Sequence, residues 1–337
     1  MSTKTFLTGI IFIFLLFSCK KSGKKERDIF LPNVSGDLNE LLIVIDKEDW
    51  EEDLGKQIRS VLMQEQAGLA QPEPMFDILQ IPTNAFDDFF KTHRNIIFFV
   101  FTNKVSEPKL AVKRNTWAKP QIQITFYSNN KKDLIPFIEE KSDDLIQLFL
   151  NMERERTMNY YEKYQDKKVR ENLLKDHQVD LVFPKGYAVD ISRDNFFLAS
   201  HETTEVSEVI AVYYNNYTDT NQFKLSNIIQ ARNKTLKKYI TGELEDSYMT
   251  TEQLFKPVYE EIEYKGRYMT QVRGIWKLMN DFMGGPFVSF TTLDEKRNRV
   301  VTVEGYVYAP KYEKRNYIRK LESILYTIDF PESVKNE

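Results

Sequence analysis

Three groups of residues have types and spacing that could do chemistry. In Met283-Gly284-Gly285-Pro286, adjacent glycines admit positive φ and close approach of a ligand, and successive amides can form an anion-binding nest. The same residues suit a tight turn into a strand, with Pro286 at its first position, and this simpler reading is preferred. Arg273 and Glu304 each stand among apolar neighbours in an expected strand. If those strands are adjacent and in register, the two would pair across a sheet. Such a pair would either face a ligand or form an ordinary ion pair worth about 0.2–1 kcal/mol, the second being favoured. Asp281, beside the glycines, would be a third polar group. Tyr213-Tyr-Asn-Asn-Tyr217 combines rigid aromatics with adaptable polar groups, as binding surfaces do, and equally suits a strand edge running into a polar loop.

Stronger catalytic patterns are not found. His93, His177 and His201 are far apart, and none has a ligand partner at i+3 or i+4, so no metal is expected. There is no Gly-x-Ser-x-Gly elbow, Walker loop or dinucleotide fingerprint, and no cofactor is expected. Carboxylates are plentiful, but spacing singles out no pair; a hydrolase or carbohydrate-active enzyme would need carboxylates that converge only in the fold.

The N-terminus carries the most specific pattern. Lys4 precedes the apolar run from Thr5 to Phe17, Ser18 and Cys19 close it, and the basic stretch Lys20–Arg27 follows. This order is that of a secretory signal, residues 1–18. Its apolar core of about thirteen residues is short of the roughly twenty that a spanning helix needs. Leu16-Phe17-Ser18-Cys19 resembles the bacterial lipobox, with Phe17 bulkier than usual. The resemblance implies cleavage before Cys19, diacylglycerol on its sulfur and an acylated amino terminus, hence stable membrane anchoring. Cys19 is the only cysteine in 337 residues, and a lone cysteine in an exported chain calls for such an explanation. Once acylated it leaves no thiol for disulfides, thiolate catalysis or zinc.

Lys and Arg number 47 against 50 Asp and Glu, so there is no basic footprint for nucleic acid. With 24 Phe and 18 Tyr against 12 Gly and 12 Pro, the body should bury a substantial aromatic core. After a tether over residues 19–38, two halves are expected: an α/β half over 39–176 and an α+β half over 177–337.

In the first half, strands are expected at Leu41–Ile45, Phe76–Ile81, Asn95–Phe101 and Gln121–Phe126. Helices are expected from Asp49 to Gln64 and, briefly, from Ala85 to Lys91, giving an α/β alternation. Leu134, Ile138, Leu145, Phe149 and Met152 then mark a long helix interrupted at Lys141, which Tyr161, Tyr164, Val169 and Leu173 extend. Glu153-Arg154-Glu155-Arg156 and Lys167-Lys168 read as its solvated face, and 167–176 as a hinge. In the second half, strands are expected at 188–191, 196–200, 209–214 and 267–276, with a hairpin of 287–292 and 299–308. A helix over 226–240 carries Ile228, Ile229, Leu236, Tyr239 and Ile240 on one face, and a final helix over 312–326 buries Ile318, Leu321, Ile324 and Leu325. A mostly antiparallel sheet with helices packed on one face follows. Ile124–Tyr127 and Gly305–Tyr308, each an aromatic strand feeding a helix, hint at duplication.

Phe183-Pro-Lys-Gly-Tyr187, Arg273-Gly-Ile-Trp276, Phe282-Met-Gly-Gly-Pro-Phe287, Val303-Glu-Gly-Tyr-Val-Tyr-Ala-Pro310 and Arg319-Lys-Leu-Glu-Ser-Ile-Leu-Tyr326 together resemble Bacteroidetes lipoproteins of the domain-of-unknown-function 4837 family. The resemblance covers nearly the whole mature chain and implies no established activity. Surface-exported lipoproteins of Bacteroidetes usually carry acidic residues after the cysteine, whereas lysines follow here, so a periplasm-facing protein, on the outer membrane, is expected. Such a chain would be a non-catalytic module that binds an envelope protein or glycan.

Overall fold

The computed structural model describes residues 30–331. The expected signal, Cys19 and the basic stretch behind it lie outside the described residues. No helix among the described residues is long and apolar enough to cross a membrane. From Pro32 on the chain forms one compact α+β unit with two sheets.

The first part runs β1 (Glu40–Val44), α1 (Lys47–Glu51), α2 (Asp53–Leu62), β2 (Asp77–Ile81), β3 (Asn95–Phe101), β4 (Lys109–Arg114), β5 (Ile122–Ser128), α3 (Lys131–Glu140), α4 (Ser142–Lys163) and α5 (Lys167–His177). The sheet order is β2-β1-β3-β5-β4, parallel except for β4. Continuous apolar runs suit parallel strands because both faces are covered. Leu41, Ile43 and Ile45 join the core beneath α2, α3 and α4, whereas Leu42 and Val44 face Ile81, Ile96 and Phe98 on the other side. β4 was not expected from the sequence: Lys109-Leu-Ala-Val-Lys-Arg114 has the short, charged character of an edge strand. Two short 3₁₀ turns, Thr83–Ala85 and Phe90–Thr92, replace the expected short helix over 85–91.

Residues 167–176, expected as a hinge between the halves, are helical. They lie in α5, whose N-cap Asp166 accepts from the amides of Lys168 and Val169. Val169 and Leu173, one turn apart, are buried in the core of the second sheet, which outweighs the charged composition.

The second part runs β6 (Ala188–Arg193), β7 (Phe196–Glu202), β8 (Ser207–Asn216), α6 (Leu225–Tyr239), β9 (Tyr248–Thr251), β10 (Val258–Tyr264), β11 (Arg267–Met279), β12 (Gly284–Asp294), β13 (Arg299–Tyr308) and α7 (Arg315–Leu325). The path β10-β11-β12-β13-β8-β7-β6 is antiparallel throughout, and β9 adds to β11. Helices cover both faces rather than the one expected. α5 and α7 pack on the side of Phe197, Val288 and Val303, and α6 on the side of Phe196, Phe287 and Tyr306. β12 and β13 are buried along nearly their whole length, so neither face can be left to water. The two sheets differ in strand direction and order, so the likeness of β5–α3 to β13–α7 stays local.

The link between the sheets is polar. The buried Glu73 carboxylate accepts from the amides of Lys314 and Arg315, both at 2.7 Å, at the start of α7. Arg315 reaches back to Asp77 at 2.5 Å and to the Pro74 carbonyl at 2.6 Å. A carboxylate at a helix N-terminus satisfies orphan amides and complements the dipole.

Candidate functional site

The residues singled out from the sequence do not converge. β12 separates β11 from β13, with Arg273 opposite Val288 and Glu304 opposite Ser289. Across β12, Glu304 therefore aligns with Val272, and a one-residue offset is a change of face. Arg273 meets Glu322 of α7 at 2.7 Å. On the other face Glu304 accepts from Arg232 of α6 at 2.7 Å. Asp281 sits in the β11–β12 turn, where its Oδ1 accepts from the Phe282 amide at 2.6 Å.

Gly284 and Gly285 form neither a nest nor a turn. They are strand residues opposite Lys277 and Trp276, and Pro286 is the third residue of β12 rather than the first. Glycine is required at 285 for close approach: a Cβ there would lie 2.1 Å from the Val307 carbonyl oxygen, which accepts from the Trp276 indole at 3.2 Å. Gly285→Ala is expected to cost about 1–3 kcal/mol through overpacking of a rigid backbone contact. Urea unfolding measures this, and an unchanged midpoint would contradict the geometry.

In Tyr213–Tyr217 exposure rises along the stretch, from buried Tyr213 to exposed Asn215 and Asn216, where β8 ends in a polar loop. β8 is an interior strand, Tyr213 is buried with its hydroxyl donating to Glu304 at 3.3 Å, and Tyr214 donates to the Asp194 carbonyl at 2.6 Å. Burial pushes both phenols above their ordinary range.

Several buried charges were not expected from the sequence. Glu153 and Arg156, read as solvated, are 4% and 8% exposed. Glu153 accepts from Arg156 at 2.6 Å, Asn95 at 2.7 Å and Arg94 at 3.1 Å. Burial lowers the Arg156 guanidinium to about 10, with Glu153 opposing the shift. Arg319 gives its donors to Gln66 and Asn39. The signal was spacing: Arg156 continues the row Leu145, Phe149, Met152, and Arg232 stands midway between Ile228 and Leu236.

A cleft of about 830 Å³ opens where the C-terminal end of α4 meets the Phe183–Tyr187 loop and the β7–β8 hairpin. α4 supplies Tyr160, Tyr161 and Tyr164; Tyr160 and Tyr164 are exposed, with ring centroids 4.8 Å apart. Tyr187 is buried at the back and packs on His201 at 5.7 Å, while His201 Nδ1 lies 3.4 Å from Glu208. Gly186, at φ +101°, carries the loop over that imidazole, where a Cβ would come within 2.9 Å of the ring. Burial, reinforced by Glu208, keeps Tyr161 and Tyr187 neutral and able to donate.

Charge in the cleft is one-sided. Arg94, Lys119, Arg156, Lys163, Lys185 and Lys320 face it, against Asp37 and Glu208. Arg94 and Arg156 are tied to Glu153. Among the described residues, Lys119, Lys163, Lys185 and Lys320 have no carboxylate within salt-bridge distance. A second groove, of about 480 Å³, gathers Asp190, Glu202 and Glu243 beside Trp276, Tyr306 and Tyr308. Among the described residues no three His, Cys, Asp or Glu side chains group as a metal site.

Comparison with known proteins adds family and little else. No curated protein matches the chain. A crystal structure from Bacteroides thetaiotaomicron VPI-5482 is similar over 48% of this chain and 47% of that one, at 10% identity and a TM-score of 0.21. This chain thus spans about half the length of that protein. The human StarD13 (DLC2) lipid transfer and protein localization domain is similar over 44% of this chain and 90% of that one, at 10% identity and a TM-score of 0.22. Residues 34–162 match a domain of unknown function (DUF8532). Residues 165–327, from just before α5 through α7, match another, the domain of unknown function DUF4837, so the expected family resemblance holds over this part of the chain and not over nearly the whole mature chain.

Proposed function

We propose that the protein is a lipid-anchored envelope module, tethered through Cys19 and facing the periplasm, that binds an acidic glycan in the tyrosine–lysine cleft. The observation that carries this reading is the cleft itself, with two exposed tyrosines beside four lysines that have no carboxylate within salt-bridge distance among the described residues. Tyrosine rings offer flat apolar faces for sugar rings at low entropic cost, with hydroxyls to hydrogen-bond them. Unpaired ammonium groups attract carboxylates or phosphates on the same polymer. The anchor rests on the order of residues from Lys4 to Cys19.

Titration of the purified protein with alginate oligosaccharide tests the reading, with a neutral cello-oligosaccharide as control. Binding should be selective for the acidic chain and weaken with salt. Lys163→Glu and Tyr160→Ala should each reduce affinity about tenfold, or roughly 1.4 kcal/mol. Equal affinity for both sugars, or variants that bind like the native protein, would reject the cleft. Palmitate labelling tests the anchor separately: a Cys19→Ser chain should lose the label.

The second groove favours one further reading, a carbohydrate-active hydrolase using Asp190, Glu202 or Glu243, whose carboxylates meet aromatics only in the fold. Release of reducing ends that disappears in Asp190→Asn and Glu202→Gln would support it over binding alone.

A further inference from the structure

Beneath the cleft, and sharing Leu38 and Thr157 with it, lies a smaller chamber of about 50 Å³. Its charged lining is Arg154, Arg273 and Arg319 against Glu153 and Glu322. Both glutamates are already engaged. Glu153 is held by Arg94 and Arg156, and Glu322 accepts from Arg273 at 2.7 Å and Gln271 at 2.9 Å.

Among the described residues Arg319 has no carboxylate within salt-bridge distance. It is 8% exposed, and its three hydrogen-bonding nitrogens end on neutral amide oxygens: Nε and Nη2 on Gln66 at 3.0 and 2.6 Å, and Nη1 on Asn39 at 2.6 Å. Three of its five N–H groups are used in this way, and its charge is met only at longer range, by Glu322 and Glu153. Arg273 Nη1 is buried without a hydrogen-bond partner. Arg154 bonds Asn151 at 2.8 Å and lies 3.6 Å from the Tyr326 ring centre. A buried charge without a counter-charge is strongly unfavourable, and so is an unmade hydrogen bond to a guanidinium. Water would satisfy the donor but not the charge. Burial, then the neighbouring Arg315 and Arg273, pull the Arg319 guanidinium down to about 9 against the opposing attraction of Glu322 and Glu153.

We infer that this chamber is a binding site for a small monovalent anion, held between the guanidinium groups of Arg319 and Arg273. One water needs about 10–15 Å³ of such space, so the chamber admits an ion the size of a halide with a companion water, and excludes sugars and nucleotides. The ion would supply the negative charge missing between α4, β11 and α7. It is a structural ligand of the chamber, independent of what the cleft above binds.

Diffraction from crystals grown in bromide should show an anomalous peak between the two guanidinium groups. Thermal unfolding at constant ionic strength should show the midpoint rising saturably with chloride or bromide but not with gluconate, which is too large to enter. Arg273→Lys keeps the charge beside Glu322 but removes the unpartnered donor, and should raise the apparent Kd for bromide at least tenfold. Arg319→Gln should abolish the anion dependence; if that variant does not fold, Arg273→Lys and the native crystal decide. No anomalous peak in the chamber, or equal stabilisation by gluconate, would overturn the assignment.

Discussion

Replacing Glu304 with leucine is expected to lower the free energy of unfolding by about 3–5 kcal/mol, the usual cost of leaving one member of a buried ion pair behind. Arg232 and Glu304 are 1% and 0% exposed. Arg232 donates from Nε to both carboxylate oxygens, at 3.1 and 2.9 Å, and from Nη2 at 2.7 Å. Thr251 accepts from Nη1 at 3.0 Å, and the guanidinium lies 3.9 Å from the Phe287 ring centre. Without the carboxylate this cation has no counter-charge and no route to water. Arg232→Met alone should be similarly harmful, because it strands Glu304. The double variant, which makes the site apolar at similar volume, should recover most of the loss. Urea unfolding of the four proteins forms the cycle, and single variants that each lose less than about 1 kcal/mol would show that the pair is not isolated from solvent.

The second large effect is expected at Glu153. Glu153→Leu leaves Arg94 and Arg156 without their carboxylate and removes a partner of Asn95, so a loss of about 3 kcal/mol or more is expected. Two residues along the same charged run, Glu155 is exposed and makes only a 3.6 Å contact to Arg114. Glu155→Gln should change stability by no more than about 0.5 kcal/mol. The contrast is the test: equal effects at 153 and 155 would mean that both glutamates face solvent, as composition alone suggests. Because Glu153 also fixes the arginines beneath the cleft, Glu153→Leu should weaken glycan binding as well.

These two sites show where local reading of the chain fails. A run such as Glu-Arg-Glu-Arg looks solvated, yet helical periodicity places Arg156 in line with Leu145, Phe149 and Met152. Long charged side chains at core-facing positions need partners, and those partners come from elsewhere: Asn95 is 61 residues from Arg156, and Arg232 is 72 from Glu304. The glycine pair misled for a related reason. Its tight constraint comes from the Val307 carbonyl and the Trp276 indole on neighbouring strands, and sequence spacing holds no trace of either contact.

By itself the sequence determined most of the elements and of their buried faces, though not β4, β9 or β10, because hydrophobic periodicity is a local property of the chain. β3 spans the expected residues Asn95–Phe101, and α7 buries the expected Ile318, Leu321, Ile324 and Leu325. The likeness of residues 165–327 to the DUF4837 family was legible in motifs such as Arg273–Trp276 and Arg319–Tyr326. Only the tertiary structure decided which charges meet. Inserting β12 between β11 and β13 sends Arg273 to α7 and Glu304 to α6, on opposite faces of one sheet. It also decided that the cleft exists, since α4, the Phe183–Tyr187 loop and the β7–β8 hairpin become neighbours only when the two sheets pack together. Strand order and packing are long-range properties, and a site assembled from them has no signature in spacing along the chain.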